Sequence, residues 1–211
     1  MGVSYQPIAD GELAAVVTFL EMREPPPPAP PEKSTLRLRR LAEPNLDNYR
    51  TLFRKVGERW LWFSRLAMSD GELGAILGDP GVELYEVAAV EPVVGMLELD
   101  FRVAHECEIA FVGLVPELTG EGRGRWLLAE AVRLAWRQED GRDAVRRVHV
   151  HTCTLDHPAA LSAYRRAGFT AYKRAIERFP DPRLTGLLPA DCAPQVPLCG
   201  TVASAGPPPA S

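Results

Sequence analysis

The seven residues Thr119-Gly120-Glu121-Gly122-Arg123-Gly124-Arg125 are the part of this sequence best suited to holding a charged ligand. They follow a strand-like run that ends in Leu114, Val115 and Pro116, and they stand directly before an amphipathic helical stretch. A strand, a glycine-rich turn and a helix start make an anion site. Glycines let the backbone come close to a ligand and adopt positive φ. The first helical amides have no partner within the helix, and the helix dipole adds partial positive charge at that end. Together these suit a pyrophosphate. Spacing excludes two common loops. No Gly-Lys-Ser/Thr follows, so this is not a Walker loop. The dinucleotide fingerprint G-x-G-x-x-G fails because Arg125 and Leu127 occupy the places of its last glycine, and no βαβ unit opens the chain.

A second constellation lies downstream, His157-Pro158-Ala159-Ala160-Leu161-Ser162-Ala163-Tyr164-Arg165-Arg166-Ala167-Gly168-Phe169. With the two motifs in this order and a strand-like stretch at 146–152 between them, the segment from Glu108 to Phe169 resembles the GNAT superfamily of N-acetyltransferases. Gly122 and Gly124 match the small positions of that family's phosphate motif, Arg/Gln-x-x-Gly-x-Gly/Ala. Thr119 departs from it, which removes a side chain but keeps the amides, and Arg123 and Arg125 can supply charge. Ala160, Tyr164, Gly168 and Phe169 match the family's Asn-x-x-Ala-x-x-x-Tyr-x-x-x-Gly-Phe signature, with His157 in place of Asn. The resemblance covers about residues 35–179.

The resemblance implies acetyl-CoA as acyl donor, with no metal, and a small-molecule or peptide amine as acceptor. It places donor contacts at Thr119, Gly120, Glu121, Gly122, Arg123, Gly124, Arg125, His157, Ala160 and Tyr164. The main chain of Leu114 and Val115 would hold the pantetheine arm like an added strand, and an amide near Leu114 would hold the oxyanion. Acyl transfer to an amine also needs a base and an acid. Tyr164 stands where the family places its acid, and a phenol of reference pKa about 10 suits a thiolate of similar basicity. Glu108 stands where some members place the base, and the apolar neighbours Cys107, Ile109 and Phe111 lead us to expect a raised pKa. Asp156, His151 and His157 are the other candidates. Glu98 and Asp100 share a strand face by the period of two, and that face reads as solvated. Trp60, Trp62 and Phe63 fall where the family shapes its acceptor site. Packing is their expected role, with Trp60 the one to watch. The reading is direct attack with Glu108 as base and Tyr164 as acid. The alternative is a non-catalytic CoA-binding sensor or interaction module; the departures at Thr119 and His157 leave room for it, while Glu108 and Tyr164 argue for catalysis.

The elements that must position these residues follow from periodicity. Strand patterns occupy 35–41, 82–90, 93–102, 107–115, 146–152 and 169–179. Helical patterns occupy 45–57, 70–77, about 122–138 with a stripe of Leu127, Leu128, Ala131, Leu134 and Ala135, and 158–167, opened by Pro158 and closed at Gly168. Residues 13–23 favour a strand, with a helix as the alternative; the segment would add to the sheet, or to a dimer interface, since the resemblance leaves room for a homodimer. The expected class is α+β, a mostly antiparallel twisted sheet of six or seven strands flanked by helices. The resemblance adds a V-shaped splay between the fourth and fifth strands of the body. Residues 1–34 read as an extension with a proline-rich linker at 25–31, 35–179 as the acyltransferase domain, and 180–211 as a flexible Pro/Gly/Ala-rich tail.

With 46% hydrophobic and 25% charged residues, the 211-residue chain has material for a real core. A net charge of −4 argues against a nucleic-acid partner. The four cysteines, Cys107, Cys153, Cys192 and Cys199, match no zinc or redox spacing. We expect reduced thiols, a cytoplasmic setting, no secretory signal and no membrane span.

Overall fold

The computed structural model describes residues 2–27, 34–89, 92–118 and 122–200. Thr119, Gly120 and Glu121 therefore lie outside the described residues. So do residues 28–33 of the proline-rich linker, the 90–91 connection and residues 201–211.

Seven strands among the described residues form one sheet: β1 Glu12–Met22, β2 Arg37–Leu41, β3 Val82–Ala88, β4 Val93–Asp100, β5 Glu106–Leu114, β6 Arg147–Cys153 and β7 Thr170–Pro180. Their order is β2-β3-β4-β5-β6-β1-β7. The β5–β6 pair is parallel and the other neighbours are antiparallel. Four α-helices accompany them: α1 Leu46–Gly57, α2 Asp70–Leu77, α3 Arg123–Ala135 and α4 Ala160–Arg166. This is the mostly antiparallel α+β sheet that the alternation of apolar residues predicts.

Local chemistry explains the helix starts. The Asn45 side chain accepts the Asn48 amide at 2.9 Å at the head of α1. Ser69 and Glu72 form a reciprocal capping box at α2, which supplies partners for otherwise orphan N–H groups. The α4 start differs from expectation. Pro158 is not its first residue; residues 157–159 make a turn in which His157 Nδ1 accepts the Ala159 amide at 3.0 Å, and the helix begins at Ala160. The amide acceptor that an Asn would offer there is supplied by the imidazole nitrogen.

Two apolar clusters cover the two faces of the sheet. On one face α3 buries Trp126, Leu127, Leu128, Ala131, Val132, Leu134 and Ala135 against Leu97, Leu99, Ile109, Val148 and Val150. On the other, α1 and α2 bury Tyr49, Phe53, Val56 and Leu73 against Leu84 and Met96. The face expected to be solvated at Glu98 is in fact covered by α1. Glu98 is completely buried and accepts hydrogen bonds from Tyr49 Oη at 2.6 Å and from Arg65.

Of the two terminal segments, residues 13–23 add a strand to the sheet as expected, whereas the segment after β7 differs from expectation. β1 lies inside the sheet, with Phe19 opposite His151 of β6 and Lys173 of β7, so it has no free edge for a dimer interface. Residues 181–200 are packed against the body. Asp181 and Arg183 form an ion pair at 2.7 Å with both side chains only 2% exposed. Leu188 and Ala193 join the α1–α2 cluster, and Arg54 donates to the Leu187 carbonyl at 2.9 Å. A few well-placed contacts hold a segment whose composition alone suggests a loose tail. Among the described residues no helix is long and apolar enough to cross a membrane.

Candidate active site

The sheet opens between β5 and β6. Only three residue pairs join them, Glu106↔Arg147, Cys107↔Val148 and Glu108↔His149. Immediately beyond Glu108, β5 carries a bulge: β4 pairs Leu99 with Ile109 and Glu98 with Phe111, which leaves Ala110 without a partner. A bulge bends its strand and sharpens the local twist, and here it coincides with the parting. It also resets which side chains face which core. Cys107 and Ile109 before it, and Val112 and Leu114 after it, all enter the α3 cluster.

The freed edge of β5 faces the gap. The Val115 amide donates to Val94 O at 2.8 Å and the Val115 carbonyl accepts the Leu118 amide at 3.0 Å. Hydrogen-bonding directions alternate along an antiparallel ladder, so Val112 and Leu114 turn their main-chain N–H and C=O toward the gap. Of the two residues expected to grip a pantetheine arm, Leu114 has its main chain available. Val115 does not, because both its groups are used in the sheet and the following turn.

At the far end of β5 the chain leads into α3 through Gly122, whose φ of 77° puts it in the left-handed region that glycine tolerates. No acidic residue lies in the first turn of α3. A Cβ at Gly124 would meet nothing within 4 Å, so the space over the helix start is open. Arg123 and Arg125 flank that start. These features fit an incoming pyrophosphate.

Glu108, at the vertex, and His151, two residues further along β6 than the last pair, approach each other across the gap at 3.4 Å between Oε1 and Nδ1. This contact, helped by His149, holds the Glu108 carboxyl below its ordinary value despite burial. The expected upward shift is thus reversed: the apolar neighbours are outweighed by two imidazoles. The same contact raises the His151 pKa, aided by Asp156 and Glu177. His149 moves down, because burial dominates there.

Tyr164 is half-buried against the α3 cluster, its ring edge-on to Phe169 at 6.0 Å. Burial, then the charge of Asp156, push its phenol pKa up. Asp156 follows β6, where Oδ2 accepts from Thr152 Oγ1 at 2.7 Å and from the Cys153 amide at 2.9 Å. Its other oxygen accepts the Trp62 indole N–H at 3.2 Å. Trp62 also packs on Phe53 and Phe111, with ring centroids 5.5 and 5.2 Å away. It therefore ties the β5 arm to the end of β6. A Cβ at Gly113 would sit 3.3 Å from this indole and 2.6 Å from Val56, so glycine permits the close approach. Leu61, a buried non-glycine residue at φ 56°, turns the chain so that Trp62 folds back onto Gly57 O at 3.0 Å. Trp60 stands edge-on to His157 at 5.0 Å. His157 and Ala160 lie at the start of α4, with Ala160 N–H donated to His157 O at 2.8 Å.

Burial pushes the Cys153 thiol up to about 11 and raises that of Cys107 as well. Neither offers an activated thiolate. A surface hollow lined by Arg40, Gly81, Phe101, Glu139 and Arg142 is formed by none of the residues around the gap.

The chain belongs to the acetyltransferase (GNAT) family, whose profile matches residues 60–169, more than half of its length. No curated protein matches the sequence. Among solved structures it is similar to a GCN5-related N-acetyltransferase from Sphaerobacter thermophilus, with 23% identity, 78% of this chain and 51% of that one covered, and a TM-score of 0.55. It is also similar to the spermidine N-acetyltransferase of Vibrio cholerae in complex with CoA and spermine, with 20% identity, 69% and 94% coverage, and a TM-score of 0.53. A functionally unknown conserved protein of Staphylococcus epidermidis shares 15% identity, 81% and 63% coverage, and a TM-score of 0.50. The chain thus spans 51% and 63% of the lengths of the Sphaerobacter and Staphylococcus proteins. At these identities the likeness is one of fold.

Proposed function

We propose that this chain transfers the acetyl group of acetyl-CoA to an amine by direct attack. The observation that carries the reading is the gap between β5 and β6, with the Leu114 main chain turned into it and the open start of α3 at its end. A pantetheine arm can pair with that free edge as a strand would. The amides at the start of α3 then meet the pyrophosphate, with Arg123 and Arg125 beside it.

The amine nitrogen attacks the thioester carbon, and a β5 amide turned into the gap, that of Val112 or Leu114, stabilises the oxyanion. The pair Glu108–His151 is the base. Glu108, held ionised, orients His151 through Nδ1 and raises its basicity, and the neutral imidazole takes the ammonium proton at Nε2. Collapse of the tetrahedral intermediate breaks the carbon–sulfur bond, and the departing thiolate takes the Tyr164 proton. A phenol held protonated by burial is ready for that donation. The raised thiol pKa of Cys153 favours direct attack over a cysteine-bound acetyl intermediate.

Small-molecule or peptide amines are the acceptor class. The carboxylates of Glu108 and Asp156 beside the gap suit a cation, and the structural similarity to a spermidine acetyltransferase makes polyamines the first to try. Four free cysteines suit a reducing, cytoplasmic setting. The test is calorimetric titration with acetyl-CoA, followed by thiol release over an amine library. Saturable binding with amine-dependent CoA release supports the reading. Binding without release for any amine would replace it with a CoA-binding sensor.

A further inference from the structure

β7 forms one margin of the sheet. Its inner side pairs with β1 from Glu12↔Pro180 to Glu21↔Thr170. Among the described residues no strand lies against its outer side. All of its residues are exposed except Ala175 and Phe179, which are half-buried, and Ile176 is 65% exposed. An eleven-residue strand with a free row of N–H and C=O groups is a template for another strand. Its only proline is the last residue, Pro180, where it cannot block pairing along the middle.

Among registers centred on residues 173–177, the charges along β7 favour one. Residues 173–177 read Lys-Arg-Ala-Ile-Glu, with Arg178 next. When two copies pair antiparallel about a twofold axis normal to the sheet, each side chain keeps its own face and the axis must pass through a residue. With the axis at Lys173, Arg174 or Glu177, that residue meets its own like charge. With the axis at Ile176, Arg174 meets Arg178. With the axis at Ala175, Lys173 of each copy meets Glu177 of the other, twice. Arg174 then lies beside Ile176, so that its aliphatic stem covers an exposed apolar side chain. Opposite charges directly across a strand pair stabilise it and like charges oppose it. Ile176 also sits opposite Val16, itself 43% exposed, on the neighbouring strand, so the pairing covers an apolar spot at the margin.

We propose that two copies of this chain associate through β7, antiparallel and centred on Ala175, and so join two seven-stranded sheets into one. The readout is mass rather than activity, because Glu177 also helps to raise the His151 pKa. The test is the mass in solution by light scattering, with folding followed by circular dichroism. The wild-type chain gives twice 23.2 kDa. Glu177→Lys sets lysine against lysine and gives the single mass. Lys173→Glu sets glutamate against glutamate and does the same, although it also removes the Lys173 contact with the Phe19 ring at 5.1 Å, which Glu177→Lys leaves in place. The double reversal, Lys173→Glu with Glu177→Lys, restores the pair with its signs exchanged and returns the dimer. A monomeric wild type, a dimer that both single reversals leave intact, or a double reversal that stays monomeric would each overturn the proposal.

Discussion

Glu108 of β5 and His151 of β6 meet at 3.4 Å just beyond the point where their strands part. Each shifts the other, the carboxyl below 4.5 and the imidazole above 6.5. The depressed Glu108 contributes stability that is present above its unfolded value and is lost as pH falls through the folded one. The raised His151 contributes stability that is full below 6.5 and is lost as pH rises through its folded pKa. The ion pair therefore belongs to the window between the two. The proposed mechanism needs the neutral imidazole, so it predicts that kcat/KM rises with pH through a pKa above 6.5. Glu108→Gln removes the charge and moves that limb, and the imidazole titration followed by NMR, to lower pH. An unmoved His151 titration would rule the pair out.

Gly124 tests the open start of α3. A side chain there meets no protein atom within 4 Å and faces the space assigned to the pyrophosphate. Gly124→Val should fold normally and bind acetyl-CoA at least about tenfold more weakly, a loss of roughly 1.4 kcal/mol. Calorimetry reads this directly. An unchanged affinity would move the phosphate site elsewhere.

The helix stripe of α3, the start of α2 and the strand–helix order could all be read from the chain, because each is set by neighbours in sequence. The parting of β5 and β6 could not be derived from residue patterns; it came only with the family resemblance. It coincides with an unpaired Ala110, a residue type with no bulge signal, and with a pairing to β6 that skips α3 entirely. The insertion of β1 between β6 and β7 is likewise long-range. Glu98 looked solvated because alternation reports a strand's two faces and not what covers them. Burial also misled at Glu108, where the expected upward shift rested on sequence neighbours while the decisive imidazoles arrive from β6. The 181–200 segment shows the limit of composition: one Asp181–Arg183 pair and a few apolar residues hold it.

Tyr164 separates chemistry from binding. Its ring packs on Phe169, and Tyr164→Phe keeps that packing while deleting the hydroxyl. General acids are worth roughly 10²–10⁴ in rate, so kcat should fall by about a hundredfold or more while the acetyl-CoA dissociation constant changes by less than about threefold. Equal turnover in the two proteins would remove Tyr164 as the thiolate's proton source.

The Arg65–Glu98 pair beneath the site is structural, and its energetics differ from those of the exposed ion pairs. Glu98 is wholly buried and the Arg65 side chain is 11% exposed, so neither charge can fall back on water if its partner is lost. Arg65 also sits over the Phe111 ring at 5.2 Å, which links the pair to the β5 bulge. Arg65→Met leaves a buried carboxylate with only the Tyr49 hydroxyl and should cost about 3–5 kcal/mol. Urea unfolding measures it, and a loss below about 1 kcal/mol would place the pair among ordinary surface bridges. The combined replacement Tyr49→Phe, Arg65→Met and Glu98→Met removes the whole polar group at once. Because a buried pair gains little over apolar residues of similar volume, the triple variant should recover most of the stability that the single variant loses. The cost of Arg65→Met is then a penalty for a stranded charge, and the pair's role is to fix where α1 and β4 meet.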